Sequence, residues 1–376
     1  MMSDPARILV LFSDTGGGHR SAAEAIAEAF ELQFPGRYRI DTVDALREYA
    51  PAPINRFTAW YPYMVRLPQA WGAGFRLSDG PRRARVMTAA AWPYVRRSAR
   101  RILRERPAEM VVSVHPLLTT PVIQAMGRRA AAAFVTVVTD LVSTHALWYD
   151  RRVRLCLVPT EAARRRAVRY GMNPDRVRVV GLPVGERFCG PREDPVLLRR
   201  ELGWPLDRPM VMLVGGGEGM GPLAETAHAI ARGGGDFGLA VIAGRNKRLR
   251  AELEAVAWPI PTFIYGFERR IPEMMQAATL LVTKAGPGTI SEALNAGLPM
   301  VLYSRLPGQE DGNVRYVVEK GVGVWAPGPD GTAAAVQGWL GQPQALSQAA
   351  TRCREAARPR AARAVAECID ALLTPG

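Results

Sequence analysis

The sequence predicts two tandem doubly wound α/β domains, and three observations carry that prediction. Short apolar runs rich in β-branched residues alternate with helical segments along most of the 376 residues. Two of these runs, RILVLF at 7–12 and MVMLV at 210–214, each lead through a glycine-rich turn into a helix. Between the two alternations lies GLPVGERFCGPREDP, residues 181–195, whose three prolines and three glycines give it the composition of a linker.

The first alternation opens with a buried strand at 7–12, an amphipathic helix at about 19–33 and a strand near 37–43. Buried strands at 109–114 and 134–138 flank a short helix around 119–129. A strand near 153–158 then leads into an Arg-rich helix at 160–170 and a short strand at 177–181. In the second alternation, a strand at 210–214 precedes a helix from about 222. Strands near 238–243, 262–265, 279–283 and 299–303 alternate with helices near 246–256, 269–277, 287–296 and 313–320. The last forty residues are Ala- and Arg-rich and helical. The expected domains are 1–185 and 186–345. Two such domains facing one another would place a ligand cleft at their strand C-terminal ends.

Composition excludes several classes. At 48% hydrophobic and 22% charged residues the chain can bury a core and is not disordered. No stretch approaches 18 consecutive apolar residues, so no membrane-spanning helix is expected. The start, MMSDPAR, shows no signal-peptide core, so secretion is not expected. Cys156, Cys189, Cys353 and Cys368 are scattered, and neither a disulfide framework nor a zinc site is expected. The cysteines read as small buried apolar residues, and His228 as a residue of an exposed helix.

The net charge is +14, and Lys247, Lys284 and Lys320 are the only lysines among 49 basic residues. Arginine's planar fork suits phosphate and carboxylate. Residues Arg56–Arg106 fit neither sheet and hold twelve arginines, two acids and eight aromatics. Trp60, Tyr61, Arg82, Arg83 and Trp92 in this stretch have the chemistry of a surface that docks on an anionic bilayer without crossing it. Nucleic-acid binding competes on charge alone, but no nucleic-acid fold motif accompanies it.

Three motifs carry chemistry. In SDTGGGHRSAAEA, residues 13–25, glycines between strand and helix let the backbone approach a ligand and leave helix N–H groups free. His19 falls in the first turn, where the positive helix end favours the neutral imidazole, suited to a general base acting on a hydroxyl. The spacing departs from G-x-G-x-x-G, which argues against a nicotinamide site. VGGGEGMGP, residues 214–222, repeats the device, with Gly216 and Gly217 at the turn, and lacks the Gly-Lys-Ser/Thr of a P-loop. In TKAGPGTISEALNAGLPMVLYSRLPGQEDGN, residues 283–313, Gly286, Gly288 and Thr289 lie where a diphosphate meets helix N–H groups. Glu292 one turn on can take the two hydroxyls of a ribose, and Gln309, Glu310 and Asn313 suit sugar hydroxyls.

These motifs resemble the monogalactosyldiacylglycerol synthases and the related bacterial diacylglycerol glucosyltransferases, relatives of the enzyme that adds N-acetylglucosamine to lipid I. The shared elements span roughly residues 7–327: SDTGGGH, VSVHP (112–116), VTDLVSTHALW (138–148), GLPV (181–184), GGGEGMG (215–221), YGF (265–267), TKAGPGTISEAL (283–294), GLP (297–299) and PGQEDGNVRYVVEKGVGV (307–324). The KAGPGT form is closer to the galactolipid synthases than the KPGG form common in the glucosyltransferases.

The resemblance implies a GT-B fold, with acceptor lipid on the N-terminal domain, UDP-sugar on the C-terminal domain, and 346–376 a helix returning to the first domain. It makes His19 the base, with Asp140 the next candidate for proton transfer, and brings Gly17 and Gly18 close to the diphosphate or acceptor. Glu292 would hold the uridine ribose, with Tyr265 and Phe267 near the uracil. Lys284, Gly216, Gly217, Gly286, Gly288 and Thr289 would serve the diphosphate, and Gln309, Glu310 and Asn313 the sugar. His115, Asp140, His145 and Trp148 would line the acceptor side. Related enzymes often carry a basic residue where this chain has Gly185, so Arg187 or Arg245 is expected to supply that charge.

The implied reaction is inverting transfer of a hexose, galactose favoured over glucose, from a UDP-sugar to diacylglycerol. No Asp-x-Asp motif is present, and no metal is expected. The expected partners are diacylglycerol and anionic lipids, and the expected location is peripheral, on the cytoplasmic face of a membrane. Transfer to a polyprenyl-diphosphate-linked or other lipid acceptor is the enzymatic alternative. A nucleotide-sugar or nucleic-acid binding protein is the non-enzymatic one.

Overall fold

The computed structural model describes residues 4–15, 17–64, 67–127, 133–217, 219 and 221–374, apart from the side chains at 57, 58, 61 and 62. The predicted docking residue Tyr61 therefore lies outside the described side chains. The chain forms two compact units. One comprises Met1–Glu186, Pro307–Gln309 and Arg360–Gly376, the other Arg187–Leu306 and Glu310–Pro359.

In the first unit β1 (Ala6–Phe12), β2 (Tyr38–Asp44), β3 (Met110–Ser113), β4 (Phe134–Val137), β5 (Leu155–Val158) and β6 (Val177–Val179) form a parallel sheet in the order β2-β1-β3-β4-β5-β6. Its central strands β1, β3, β4 and β5 are largely apolar and buried on both faces, whereas the flanking β2 and β6 are partly polar and exposed. Along β1, Leu9 and Leu11 enter one core, while Ile8, Val10 and Phe12 enter the other. The register pairs Ile8 with both Ile40 and Met110, so the side chains of neighbouring strands alternate in step.

The helix Ala361–Leu373 completes the second of these cores with Ala362, Val365, Ala366 and Ile369, packing beside the helix Gly18–Gln33. Its Asp370 accepts a hydrogen bond from Tyr38 Oη at 2.5 Å and pairs with Arg37 at 3.1 Å. The preceding helix, Pro343–Ala356, stays with the second unit, so the chain returns only at Arg360.

The second unit's sheet runs β12-β11-β10-β7-β8-β9, again all parallel. Its strands are β7 (Met210–Val214), β8 (Gly238–Ile242), β9 (Thr262–Tyr265), β10 (Leu280–Lys284), β11 (Met300–Ser304) and β12 (Gly323–Trp325). The edge strand β12 was not anticipated, because its three residues open on a glycine and give no apolar run to read. Two other boundaries differ from expectation. The helix expected at 119–129 spans Pro116–Met126, because His115 caps it and Pro116 occupies its first position. The last expected strand of the first unit ends at Val179 rather than 181.

The basic stretch is wholly helical where described, as Phe57–Met64, Pro68–Ser78 and Pro81–Glu105 after a short turn at Ile54–Arg56. No helix among the described residues is long and apolar enough to cross a membrane. Cys156 and Cys353 are buried as expected, whereas Cys189 and Cys368 are partly exposed. His228 is also partly buried rather than exposed, its ring stacked on Trp258 with centroids 4.8 Å apart.

Ile369 is fully buried in the returning helix. Ile369→Ala is expected to destabilise the first unit by about 2–5 kcal/mol in urea unfolding. A loss under about 1 kcal/mol would mean that the helix does not pack as described.

Candidate active site

In a parallel sheet all strands end on one side, and loops part where the strand order reverses, leaving a crevice. The reversal falls between β1 and β3 in the first unit and between β7 and β10 in the second. The motifs singled out in the sequence leave these strands.

In the first unit, Gly17 has φ +83°, a left-handed conformation that favours glycine, and caps the helix Gly18–Gln33 without a side-chain bond. A Cβ added at Gly17 or Gly18 would meet open space. His19 is the second residue of that helix. Its Nδ1 lies 2.8 Å from the carbonyl oxygen of Val114, just after β3, and 2.8 Å from Thr139 Oγ1, just after β4. A carbonyl only accepts, so Nδ1 carries the proton and Nε2 keeps its lone pair. Burial lowers the His19 pKa to about 4, against the smaller opposing effects of the Val114 bond and Asp14. Neutrality was expected from the helix end; desolvation is the larger cause.

His115 and Trp148 stand beside this base, with ring centroids 4.5 and 6.0 Å from His19. The two other histidines expected on the acceptor side are helix caps. His115 Nδ1 accepts from the Leu117 N–H at 3.3 Å, so its Nε2–H faces Thr15 Oγ1 at 3.3 Å. His145 Nδ1 accepts from the Leu147 N–H at 3.1 Å, so its Nε2–H donates to Ser78 Oγ at 3.1 Å. Burial lowers both pKa values, that of His115 well below the ordinary range. Each imidazole therefore has both nitrogens engaged, whereas His19 presents Nε2.

Asp140 is buried and accepts from Trp148 Nε1 at 2.6 Å and from Gln309 Nε2 at 3.2 Å. His19 is oriented by Val114 and Thr139, and Asp140 orients the indole beside it. Gln309, expected at the sugar, belongs to the first unit and is turned to Asp140. Thr15, Thr139 and the Val114 carbonyl were missed in the sequence reading. They lie inside the motifs SDTGGGH, VSVHP and VTDLVSTHALW, just beyond strand ends, which is the signal that could have found them.

Of the docking residues, Trp60 is exposed and so are Arg82 and Arg83, whereas Trp92 is half-buried. Tyr63, Leu67, Leu77, Val86, Met87 and Tyr94 add exposed apolar surface to the same helices.

The second unit gathers its motif residues around Lys284 at the end of β10. Lys284 Nζ pairs with Glu310 Oε1 at 2.9 Å, and Glu310 Oε2 accepts from the Leu306 N–H at 2.7 Å. Glu310 is buried, so its lone pairs are met by fixed donors rather than water. A Cβ at Gly286 would come within 3.0 Å of Lys284 Nζ, and one at Gly216 within 3.7 Å of Lys284 Cε. Gly286 also caps the helix Pro287–Ala296, in whose first turn Gly288 and Thr289 lie. Asn313 Nδ2 donates to the Ala285 carbonyl at 2.9 Å, which fixes this loop from behind.

Arg245 approaches Gly217 and lies over the exposed Phe267 ring, 4.5 Å from its centroid. Tyr265 Oη instead accepts from Trp204 Nε1 at 2.8 Å. Desolvation raises the Glu292 pKa to about 7, against the opposing charge of Arg187. The described residues of the whole chain bring together no group of three His, Cys, Asp or Glu able to hold a metal.

Two parallel doubly wound sheets in one chain, with glycine-lined crevices at their reversal points, define the GT-B class of glycosyltransferase folds. Solved structures share it: Acinetobacter baumannii MurG (TM-score 0.63, 15% identity, 98% of this chain and 100% of that one) and the glycosyltransferase of kitacinnamycin (TM-score 0.62, 17% identity, 99% and 100%). Neisseria meningitidis UDP-GlcNAc 2-epimerase matches too (TM-score 0.63, 11% identity, 97% and 100%), so the fold alone does not select a reaction.

The family models are specific. That for monogalactosyldiacylglycerol synthase matches residues 19–184, and that for the glycosyltransferase family 28 C-terminal domain matches residues 210–328. Arabidopsis thaliana monogalactosyldiacylglycerol synthase 2, chloroplastic, is 39% identical over 97% of this chain and 80% of its own length. The Spinacia oleracea monogalactosyldiacylglycerol synthase, chloroplastic, is 37% identical over 98% and 73%. The chain belongs to the monogalactosyldiacylglycerol synthase family and is a hexosyltransferase.

The His19 pKa sets a stability window. Between pH 6.5 and about 4 the unfolded chain binds a proton at this residue that the folded chain does not. The contribution of neutral His19 is full above pH 6.5 and is lost as pH falls towards 4. His19→Gln is expected to flatten this part of the Tm–pH curve. Parallel curves for wild type and variant across that window would show that His19 is not buried neutral.

Proposed function

We propose that the chain transfers galactose from UDP-galactose to the free hydroxyl of diacylglycerol, with inversion at the anomeric carbon. The observation that carries the reading is His19: a neutral imidazole whose Nδ1–H is held by the Val114 carbonyl while Nε2 retains its lone pair. In the proposed step Nε2 takes the hydroxyl proton and the freed oxygen bonds to the anomeric carbon. The bond from that carbon to the diphosphate oxygen breaks on the opposite face, and UDP leaves with the electron pair. An α-linked donor thus gives a β-glycoside. The names of the relatives support galactose and diacylglycerol.

The second unit supplies the groups for the leaving UDP. Lys284, the Gly286–Thr289 turn and the start of the helix Pro287–Ala296 offer positive charge and N–H groups to a diphosphate. Arg245 and Arg187 stand at Gly217 and Glu292, where the expected basic residue is replaced by Gly185. Glu292 takes the ribose hydroxyls as a carboxylate, and Asn313 and Glu310 stand behind the sugar position. No step uses a metal.

The acceptor is reached by peripheral docking. Exposed arginines along Pro81–Glu105 and the exposed Trp60, Tyr63, Leu67 and Leu77 support attachment to an anionic bilayer. The relatives are named as chloroplastic and give no support to the expected cytoplasmic face.

The deciding assay measures UDP release from UDP-galactose and UDP-glucose with diacylglycerol in anionic vesicles, EDTA present throughout. Wild type is expected to turn over UDP-galactose faster. His19→Ala is expected to lose on the order of 10²–10⁴ in rate. Turnover that survives His19→Ala would move the base elsewhere, and none with either donor would overturn the acceptor.

UDP affinity tests the donor assignment. It is expected to weaken as pH falls below about 7, where Glu292 takes up a proton, and to lose that dependence in Glu292→Gln. Equal pH profiles by calorimetry would remove Glu292 from the ribose.

A further inference from the structure

We infer that Asp79 is a positioning residue that ties the basic helical segment to the His19 site, so that a hydroxyl presented by a bilayer arrives in register with the base. The inference rests on the docking reading above. Asp79 sits at the corner between the helices Pro68–Ser78 and Pro81–Glu105. Its own N–H donates to the Phe75 carbonyl at 3.0 Å, and its carbonyl accepts from Arg83 at 3.2 Å, so its backbone holds both helices.

Its side chain faces the other way, with only 15% exposed. Oδ1 accepts from the Ala146 N–H at 2.9 Å. Oδ2 accepts from Tyr170 Oη at 3.0 Å and pairs with Arg166, which itself donates through Nε to the Thr144 carbonyl at 2.6 Å. One residue back, Ser78 Oγ receives His145 Nε2–H and donates to the Gly74 carbonyl at 2.7 Å, and Phe75 meets the His145 ring edge-on at 5.0 Å.

The residues grasped in this way, Thr144–Ala146, open the short helix Ala146–Trp148. Trp148 is fully buried, holds Asp140 at 2.6 Å and lies 6.0 Å from His19. The corner of the two surface helices is thus joined to the indole beside the base through one hydrogen bond and two residues of chain. The anchor is a carboxylate with three donors converging on it. Such a charge-assisted cluster fixes direction as well as distance. The arginine-rich surface itself makes mainly solvated contacts that do not fix its orientation.

The test compares two acceptors: diacylglycerol in anionic vesicles, and a short-chain diacylglycerol below its aggregation concentration, which needs no docked surface. Asp79→Ala is expected to reduce kcat on vesicles at least tenfold, with KM for UDP-galactose unchanged. Its rate on the soluble acceptor should stay within about twofold of wild type, and co-sedimentation with vesicles should match wild type. Asp79→Asn keeps one oxygen for the Ala146 N–H but turns an amide NH2 towards Tyr170 and Arg166 and loses the ion pair, and is expected to fall between the two. It decides the matter if Asp79→Ala does not fold.

Equal loss on both acceptors would reduce Asp79 to a merely structural residue and overturn the inference. So would unchanged vesicle turnover. Wild type inactive on both acceptors would instead defeat the functional reading, and the joint with it. Wild type equally active on both, without vesicle binding, would defeat the docking premise and this inference with it, and leave the transferase reading standing.

Discussion

Every strand of both sheets ends on the same side, and the chemistry of each unit depends on that constraint. A parallel sheet cannot be closed by hairpins, so each strand is followed by a crossover that begins at its C-terminal end. The His19 turn leaves β1, the Val114 carbonyl leaves β3 and Thr139 leaves β4. Three segments distant in sequence thus meet around one imidazole because their strands are neighbours in the order β1-β3-β4. The same geometry in the second unit puts the Gly216 turn beside Lys284 and Gly286.

Histidine chemistry in the first unit is sorted by what each Nδ1 meets. At His19 it meets a carbonyl and must donate; at His115 and His145 it meets an N–H and must accept. Three residues of one type, all with pKa values lowered by burial, are thereby given two functions. One keeps its Nε2 lone pair, and the other two are structural caps at the start of a helix. A carboxylate partner would raise the basicity of His19 more strongly than a carbonyl and a hydroxyl do. Burial keeps the imidazole neutral down to about pH 4, against the smaller opposing effects of the Val114 bond and Asp14.

The sequence-derived expectations succeed where the signal is local. Expected strand positions coincide with eleven of the twelve strands; β12 escapes because its Gly-Val-Trp, opening on a glycine, carries no period. Glycine-rich turns and the family-like motifs single out His19, Glu292, Lys284 and Gly286 as candidates. The partners of those residues are not local. Val114 acts on His19 through a backbone carbonyl across 95 positions, and a carbonyl leaves no trace in residue type. His115 and His145 stand in motifs beside His19's partners, yet only the direction of their Nδ1 atoms reveals them as caps. Asp79 was read as one of two acids in a basic stretch, and its role depends on Ala146, Arg166 and Tyr170, none of which is near it in sequence.

The two histidine caps also make part of the first unit acid-labile by construction. A serine, asparagine or aspartate cap keeps an acceptor oxygen when the solution is acidified, whereas a histidine cap exists only while Nδ1 is unprotonated. Protonation of His115 and His145 would turn both acceptors into donors facing the N–H groups of Leu117 and Leu147. The helix Pro116–Met126 and the turn that carries Trp148 would then lose the caps at their starts. Acid tolerance of this chain can therefore be engineered at two turns.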